Sequence, residues 1–256
     1  MRILMIGDVI GKPGRRALQK MVPLLRQEYS LDLVIANSEN TAGGFGLTVD
    51  TAYELLESGV DVLTSGNHIW DQKEILPHMD GELPLIRPAN YPNAPGRGSL
   101  VWGDVMVVNL IGRVFLPPLD CPFRTADLLL REAEAAGGPR VIIVDFHAEA
   151  TSEKQALGWY LDGRVSAVLG THTHVGTVDT KILPQGTAYV SDVGMTGPAD
   201  SVIGSDTSMV LERFLSGLPQ RLTVARGPVV MNSILLDIDV ESGKALAIER
   251  LDRMVT

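Results

Sequence analysis

The chain has 256 residues, and 22 Lys and Arg against 31 Asp and Glu give a formal charge of −9 and a pI near 5.0. That balance argues against a general polyanion binder, whose footprint is basic, and an aromatic content of 5% argues against a base-stacking platform. Hydrophobic residues at 45% and charged residues at 21% suit a globular chain with a sizeable core, and the single Cys121 excludes an internal disulfide or a Cys-rich zinc site.

No apolar run approaches the roughly 18 residues of a membrane span, and Met1-Arg2 leads straight into a short apolar segment without a signal-peptide pattern. A cytoplasmic protein with no membrane partner is expected.

In chain order, apolar runs of strand length fall at 3–6, 33–36, 60–63, 105–110, 141–144 and 165–169. Most are rich in Val, Ile or Leu, as strands buried on both faces are. Between them lie helical patterns at 15–29, where Leu18, Met21, Val22 and Leu25 recur at three- and four-residue spacing, and more weakly at 48–58 and 123–136. Ser152 and Gln155 resemble a capping box that opens a helix to about 161. Residues 86–98 are dense in Pro, Asn and Gly, 194–208 form a glycine-containing loop, and 229–240 with 245–251 read as a hairpin around Glu241-Ser242-Gly243. The expected fold is α/β, a single domain over 1–256 built on two sheets.

The polar residues follow the strands. Gly7-Asp8, Asn37-Ser38-Glu39-Asn40, Gly66-Asn67-His68, His147 and Gly170-Thr171-His172-Thr173-His174 each sit just beyond an apolar run. In an α/β sheet the loops beyond the carboxyl ends of parallel strands converge on one crevice. Of five histidines only His78 lies outside this set. Asp8, Glu39, Asn40, Asn67, His147, His172 and His174 make seven candidate ligands of mixed N and O character, too many for one tetrahedral ion. Two transition-metal ions sharing a carboxylate fit better. Iron is expected first, with manganese or zinc as alternatives, and such a pair forms the clamp used for displacement at phosphorus.

Other features read as structural. Residues 7–13 fall one residue short of a phosphate loop, and Pro13 replaces its Ser or Thr. Arg15 and Arg16 near a helix start, disfavoured by the dipole, are either a solvated helix end or a phosphate or partner contact. Gly43-Gly44-Phe45-Gly46 is a turn that could border the site, as could Asp192 and Gly194. Glu149 and Asp71 read as supports for ligands or turns, and Cys121 as inert.

The order of these motifs resembles the calcineurin-like metallophosphoesterase superfamily. The similarity is closer to its YmdB-type branch over nearly the full length, through Gly-Asp-Val-Ile-Gly at 7–11, Asn-Ser-Glu-Asn at 37–40, Gly-Asn-His-Ile-Trp-Asp at 66–71 and Gly-Thr-His-Thr-His-Val at 170–175. Ile10 stands where the wider superfamily has His, and Glu39 where it has Asp, as in that branch. The resemblance implies a four-layer αββα sandwich with two mixed β-sheets. It implies one metal on Asp8, Glu39, Asn40 and His174, a second on Glu39, Asn67, His147 and His172, Glu39 as the bridge, and His68 as the catalytic group that contacts phosphate and protonates the leaving alkoxide.

The implied activity is a metal-dependent phosphodiesterase acting on 2′,3′-cyclic nucleotides or related small phosphodiesters, including RNA-derived ones, by in-line attack of a metal-bridging hydroxide. The alternatives are a phosphomonoesterase using the same ions, and a regulatory protein with a slow metal site. A homo-oligomer is expected from the family.

Overall fold

A computed structural model describes residues 1–255. In chain order its elements are β1 (Arg2–Ile6), β2 (Asp8–Val9), α1 (Gly11–Tyr29), β3 (Leu33–Asn37), α2 (Val49–Glu57), β4 (Val62–Thr64), β5 (Ser99–Trp102), β6 (Val105–Ile111), α3 (Pro122–Ala135), β7 (Val141–His147), α4 (Thr151–Tyr160), β8 (Ala167–Thr171), β9 (Lys181–Ile182), β10 (Ala188–Val190), β11 (Met195–Pro198), α5 (Thr207–Ser216), β12 (Val229–Met231), β13 (Ser233–Ile238), β14 (Ala245–Arg250) and β15 (Arg253–Val255).

Two mixed sheets form the centre, in the orders β14-β13-β1-β3-β4 and β5-β6-β7-β8-β10-β9. In the first, β1, β3 and β4 are parallel, β13 pairs antiparallel with β1, and β14 pairs antiparallel with β13. In the second, β6, β7, β8 and β10 are parallel. Successive side chains of a strand point to opposite faces, and here both faces are covered. Ile3, Met5, Leu33 and Ile35 meet Val107, Ile143, Ala167 and Leu169 between the sheets. Leu4, Ile6, Val34 and Ala36 pack outward among Leu18, Val22 and Leu25 of α1 and Leu55 of α2. Val108, Val144 and Val168 of the second sheet pack with Leu157 of α4 and Ala126 of α3. The result is the αββα layering, and double burial is why these strands read as continuous apolar runs.

A third sheet, β15-β12-β11-β2, was not anticipated. It arises where two neighbouring strands leave the first sheet together. After β1 the chain turns at Gly7, whose N–H donates to the Asn232 carbonyl, and β2 pairs in parallel with β11. Across from it, Asn232 divides the expected strand at 229–240 into β12 and β13, because its backbone N–H and side-chain oxygen both engage Met195. A Cβ at Gly7 would lie 2.0 Å from the Gly194 carbonyl oxygen, so only glycine permits this crossing. The 194–208 segment is accordingly part strand, through β11, and not loop throughout.

Helix ends differ from expectation in two places. α1 begins at Gly11, not Arg15, because Pro13 is tolerated in a first turn where N–H groups have no partner. The expected capping box at Ser152 and Gln155 is absent: α4 starts after Ala150 with no side-chain cap. The reciprocal cap forms instead at Thr48 and Thr51 of α2. Among the described residues no helix is long and apolar enough to cross a membrane.

Gly170 in β8 lies against the segment after β10, where an added Cβ would sit 1.8 Å from the Ser191 carbonyl oxygen. Gly170→Ala is expected to cost about 3 kcal/mol of unfolding free energy through overpacking. Gly103→Ala, in open space at φ +56°, should cost only about 1 kcal/mol. Urea melts of the two variants test the contrast.

Candidate metal centre

Strand ends carry the polar residues to one seam. Asp8 opens β2, Glu39 and Asn40 follow β3, Asn67 and His68 open a 3-10 turn after β4, His147 ends β7, and His172 and His174 follow β8. Both main sheets contribute. Gly66 lets the β4 turn pass beneath this group, since a Cβ there would lie 2.3 Å from the His147 ring and 2.4 Å from Glu39 Oε2.

His147 Nε2 lies 3.1 Å from Glu39 Oε1, 3.1 Å from Asn67 Oδ1 and 3.0 Å from His172 Nδ1. Metal bonds of about 2.1 Å put neighbouring ligand atoms roughly 3 Å apart, so these separations would suit a coordination shell. On the other side of Glu39, His174 Nε2 lies 3.7 Å from Asp8 Oδ1 and 3.3 Å from Asn40 Nδ2. Two groups capable of holding a cation result, Glu39 with His147 and His172, and Glu39 with Asp8 and His174, so Glu39 is common to both.

Three further observations test whether ions fit. Asp8 Oδ1 is buried without a hydrogen-bond partner, a costly state for a carboxylate unless a cation faces it. Each histidine has its outer nitrogen committed. The Thr171 hydroxyl donates to Asp145 Oδ1 at 2.7 Å, so His147 Nδ1 must donate to Thr171 Oγ1 at 3.0 Å. His172 Nε2 faces Glu149 Oε2 at 3.1 Å, and His174 Nδ1 donates to the Ile203 carbonyl at 2.9 Å. In all three the inward nitrogen is left for a metal, the tautomer that such outer partners impose. Finally, the backbone at His172 and His174 has φ of +100° and +65°. Side-chain-bearing residues adopt that region at about 1–3 kcal/mol each, characteristically where function requires it. Asn40 turns its amide nitrogen toward Glu39 and His174. A cation there calls for the oxygen, which a half-turn of the amide supplies.

The electrostatics describe the centre without ions. Burial pushes the Glu39 carboxyl up, but His147 outweighs it and holds it down to about 2. Burial likewise opposes charge on His147, and Glu39 raises it to about 9. His172 is driven down to about 3 by burial and by charged His147. Asp8 is raised, chiefly by burial. A proton between Glu39 and His147 therefore occupies the place of a cation.

His68 stands at the rim. Its backbone N–H donates to Glu39 Oε2 at 3.0 Å, and its Nδ1 pairs with Asp71 Oδ2 at 2.8 Å, which leaves Nε2 for the pocket. Phe45 meets the His68 ring edge-on at 5.2 Å. Both line a cavity of about 430 Å³ over the candidate ligands, bordered also by Gly43, Gly44 and Glu149. Glu149 and Asp71 thus contact His172 and His68 respectively. Asp192 does not line the cavity: it is buried against Lys154 Nζ at 2.6 Å and accepts from Thr173 N and Oγ1, anchoring the strained 172–174 turn. The Thr171–Asp145 pair behind His147 was missed in the sequence, and so was Asn37, which donates to Asp145 at 3.2 Å. The place of Asn37 and Thr171 inside the two ligand motifs was the available signal.

Thr171→Val, nearly isosteric, removes the acceptor that fixes His147 and should weaken metal binding about 10- to 100-fold with little change in fold, as read by calorimetric titration. Because an ion must displace the His147 proton, affinity should rise with pH up to about 9. Titrations in buffers of different ionisation enthalpy should count about one proton released per chain near pH 7.5.

A family model described as YmdB-like protein matches residues 4–251. A Bacillus subtilis (strain 168) protein named 2′,3′-cyclic-nucleotide 2′-phosphodiesterase is 52% identical over 256 residues, covering 98% of this chain and 96% of that one. A Thermus thermophilus protein of known structure superposes with a TM-score of 0.92 at 46% identity, covering 99% of both chains. The structure of a novel phosphatase from Mycoplasma pneumoniae superposes with a TM-score of 0.93 at 36% identity, covering 99% of this chain and 93% of that one.

Proposed function

Because the chain belongs to the YmdB-like protein family, we propose that it is a metal-dependent phosphodiesterase that opens 2′,3′-cyclic nucleotides at the 2′ ester. The observation that carries this reading is the pair of cation-binding groups that share Glu39 beneath a pocket edged by His68. Asp8, Glu39, Asn40 and His174 would hold one ion, and Glu39, Asn67, His147 and His172 the other. Donors of imidazole, carboxylate and amide without thiolate suit iron, with manganese or zinc as alternatives. Such ions supply Lewis acidity and a water that ionises near neutral pH.

The chain's own residues do the rest. The cavity of about 430 Å³ admits a nucleoside, and the exposed Phe45 ring offers a face to the base. Asp71 holds His68 Nδ1 and so aims Nε2 inward. As water adds to phosphorus in line, the bond to the 2′ oxygen breaks, and His68 in its protonated form gives that oxygen its proton. The phosphate stays on the 3′ oxygen, so the product is a 3′-nucleotide. The specificity for the 2′ ester follows the name of the Bacillus subtilis relative. The phosphatase title of the Mycoplasma pneumoniae structure favours a second reading, a monoesterase with the same ions.

We also read residues 1–256 as one domain, since neither sheet alone provides a full ligand set. Leu211, Phe214, Leu215 and Leu218 expose an apolar side of α5 and its end, which supports a homo-oligomer.

Metal analysis with assays on 2′,3′-cyclic AMP, bis-p-nitrophenyl phosphate and p-nitrophenyl phosphate tests this. Near two metals per chain and faster diester cleavage are expected, while a preference for p-nitrophenyl phosphate would promote the monoesterase. His68→Ala should keep its metals and lose about 10²–10⁴ in kcat on 2′,3′-cyclic AMP. The loss should be far smaller on bis-p-nitrophenyl phosphate, whose leaving group needs no proton. An equal loss on both would remove His68 as the acid.

A further inference from the structure

Cations continue outward from the pocket. The cavity over the candidate ligands is walled on one side by Gly43, residues 222–224 and Arg213. Gly43 and residues 222–224 also line a second depression of about 430 Å³, which adds Lys12, Arg221 and Arg226. A third, of about 520 Å³, shares Lys12 and Arg226 with the second and adds Arg16 and Lys20. The three form one trough from the metal pocket past the first turns of α1 to β12 and β15. Arg16, Arg213, Arg221, Arg226 and Lys12 make no ion pair or side-chain hydrogen bond among the described residues. By contrast Arg15 is engaged by Glu54, Arg164 by Asp127 and Arg250 by Asp252. Among the described residues, no acidic side chain lines the second or third depression. In a chain of net charge −9, folding does not call for Lys12, Arg16, Arg213, Arg221 and Arg226 to stand along these depressions without an ion pair among the described residues.

We propose that this trough seats the phosphates of a short single-stranded oligoribonucleotide whose 2′,3′-cyclic phosphate end enters the metal pocket. The inference rests on the phosphodiesterase reading above and names a larger substrate for the same site. A cyclic mononucleotide has one phosphate, which the pocket takes, and leaves Arg221, Arg226 and Arg16 without a role. An oligonucleotide carries one more phosphate per nucleotide, and a cationic groove that follows its backbone is how single strands are held. Beyond the pocket the trough has Pro13, Ala17 and Val229 but, among the described residues, no aromatic ring, so its contacts register phosphate and not base. Phe45, at the metal end, is a ring placed for the terminal base. The negative remainder of the surface repels long nucleic acid, and screening within about 8 Å keeps the attraction local. Short fragments are therefore favoured.

The test is fluorescence anisotropy of a 5′-labelled hexaribonucleotide ending in a 3′-phosphate, bound to the metal-loaded protein across a salt series. With three phosphates in the trough, log affinity should fall against log salt with a slope of about −2. The double variant Arg16→Ala/Arg226→Ala changes only exposed side chains. It should bind about tenfold more weakly, with a slope shallower by about 1.4. In parallel, a hexamer ending in a 2′,3′-cyclic phosphate should show kcat/KM about tenfold above that of 2′,3′-cyclic AMP. The double variant should lose that advantage while its turnover of 2′,3′-cyclic AMP is unchanged. Hexamer binding that is equal in both proteins, or no gain in kcat/KM over the mononucleotide, overturns the trough. Arginine-dependent binding without hydrolysis of either substrate would sink the phosphodiesterase reading and leave the trough standing.

Discussion

Glu39 is buried at the seam between two sheets, and each of its carboxylate oxygens has to serve a different neighbour. Oε1 lies within 3.2 Å of both His147 Nε2 and the Asn40 amide, while Oε2 takes the backbone N–H of His68. A carboxylate in such a place is tolerated only if positive charge meets it. A proton on His147 supplies that charge when no ion is bound, and ions sharing Glu39 would supply it in the loaded centre. The same requirement explains why Asp8 Oδ1 has no hydrogen bond and why three histidines turn their outer nitrogens to fixed acceptors. These features make sense together only as one shell built around positive charge.

The scaffold gives up local comfort to hold that shell. Gly7, Gly66 and Gly170 each stand where any Cβ would strike a carbonyl or a site side chain. His172 and His174 remain in left-handed backbone because Asp8 accepts from His172 N and Asp192 ties down Thr173. Asp192 is itself fixed by the buried Lys154 ammonium. Breaking that pair would leave an uncompensated buried charge, which costs several kcal/mol. Rigidity at the turn therefore comes from electrostatics outside the pocket as much as from packing within it.

The two-sheet α/β reading and the polar strand ends were legible because each came from a strong local signal, whereas the four-layer order came from the family resemblance. Strands covered on both faces have to be continuous apolar runs, and polar residues at their carboxyl ends then stand out by contrast. What stayed hidden depended on long-range pairing. A two-residue strand such as β2 has no periodicity to read, and Asn232 divides a strand only because Met195 lies across from it. The capping box at Thr48 and Thr51 uses a threonine where glutamate or glutamine is the usual signal. Thr171 and Asp145 look like ordinary strand residues until β7 and β8 are laid side by side.

Net charge misleads for a related reason. A total of −9 excludes a molecule that is basic everywhere, but it says nothing about where the cations stand. Lys12 and Arg16 belong to α1, Arg213 to α5 and Arg221 and Arg226 to the segment before β12, and the fold brings them to one line. Acidic residues are free to populate the remaining surface, where they favour solubility and oppose indiscriminate binding of nucleic acid. An acidic protein with a local basic track is thus suited to small anionic substrates and short chains of them, because only a ligand that follows the track escapes the repulsion around it.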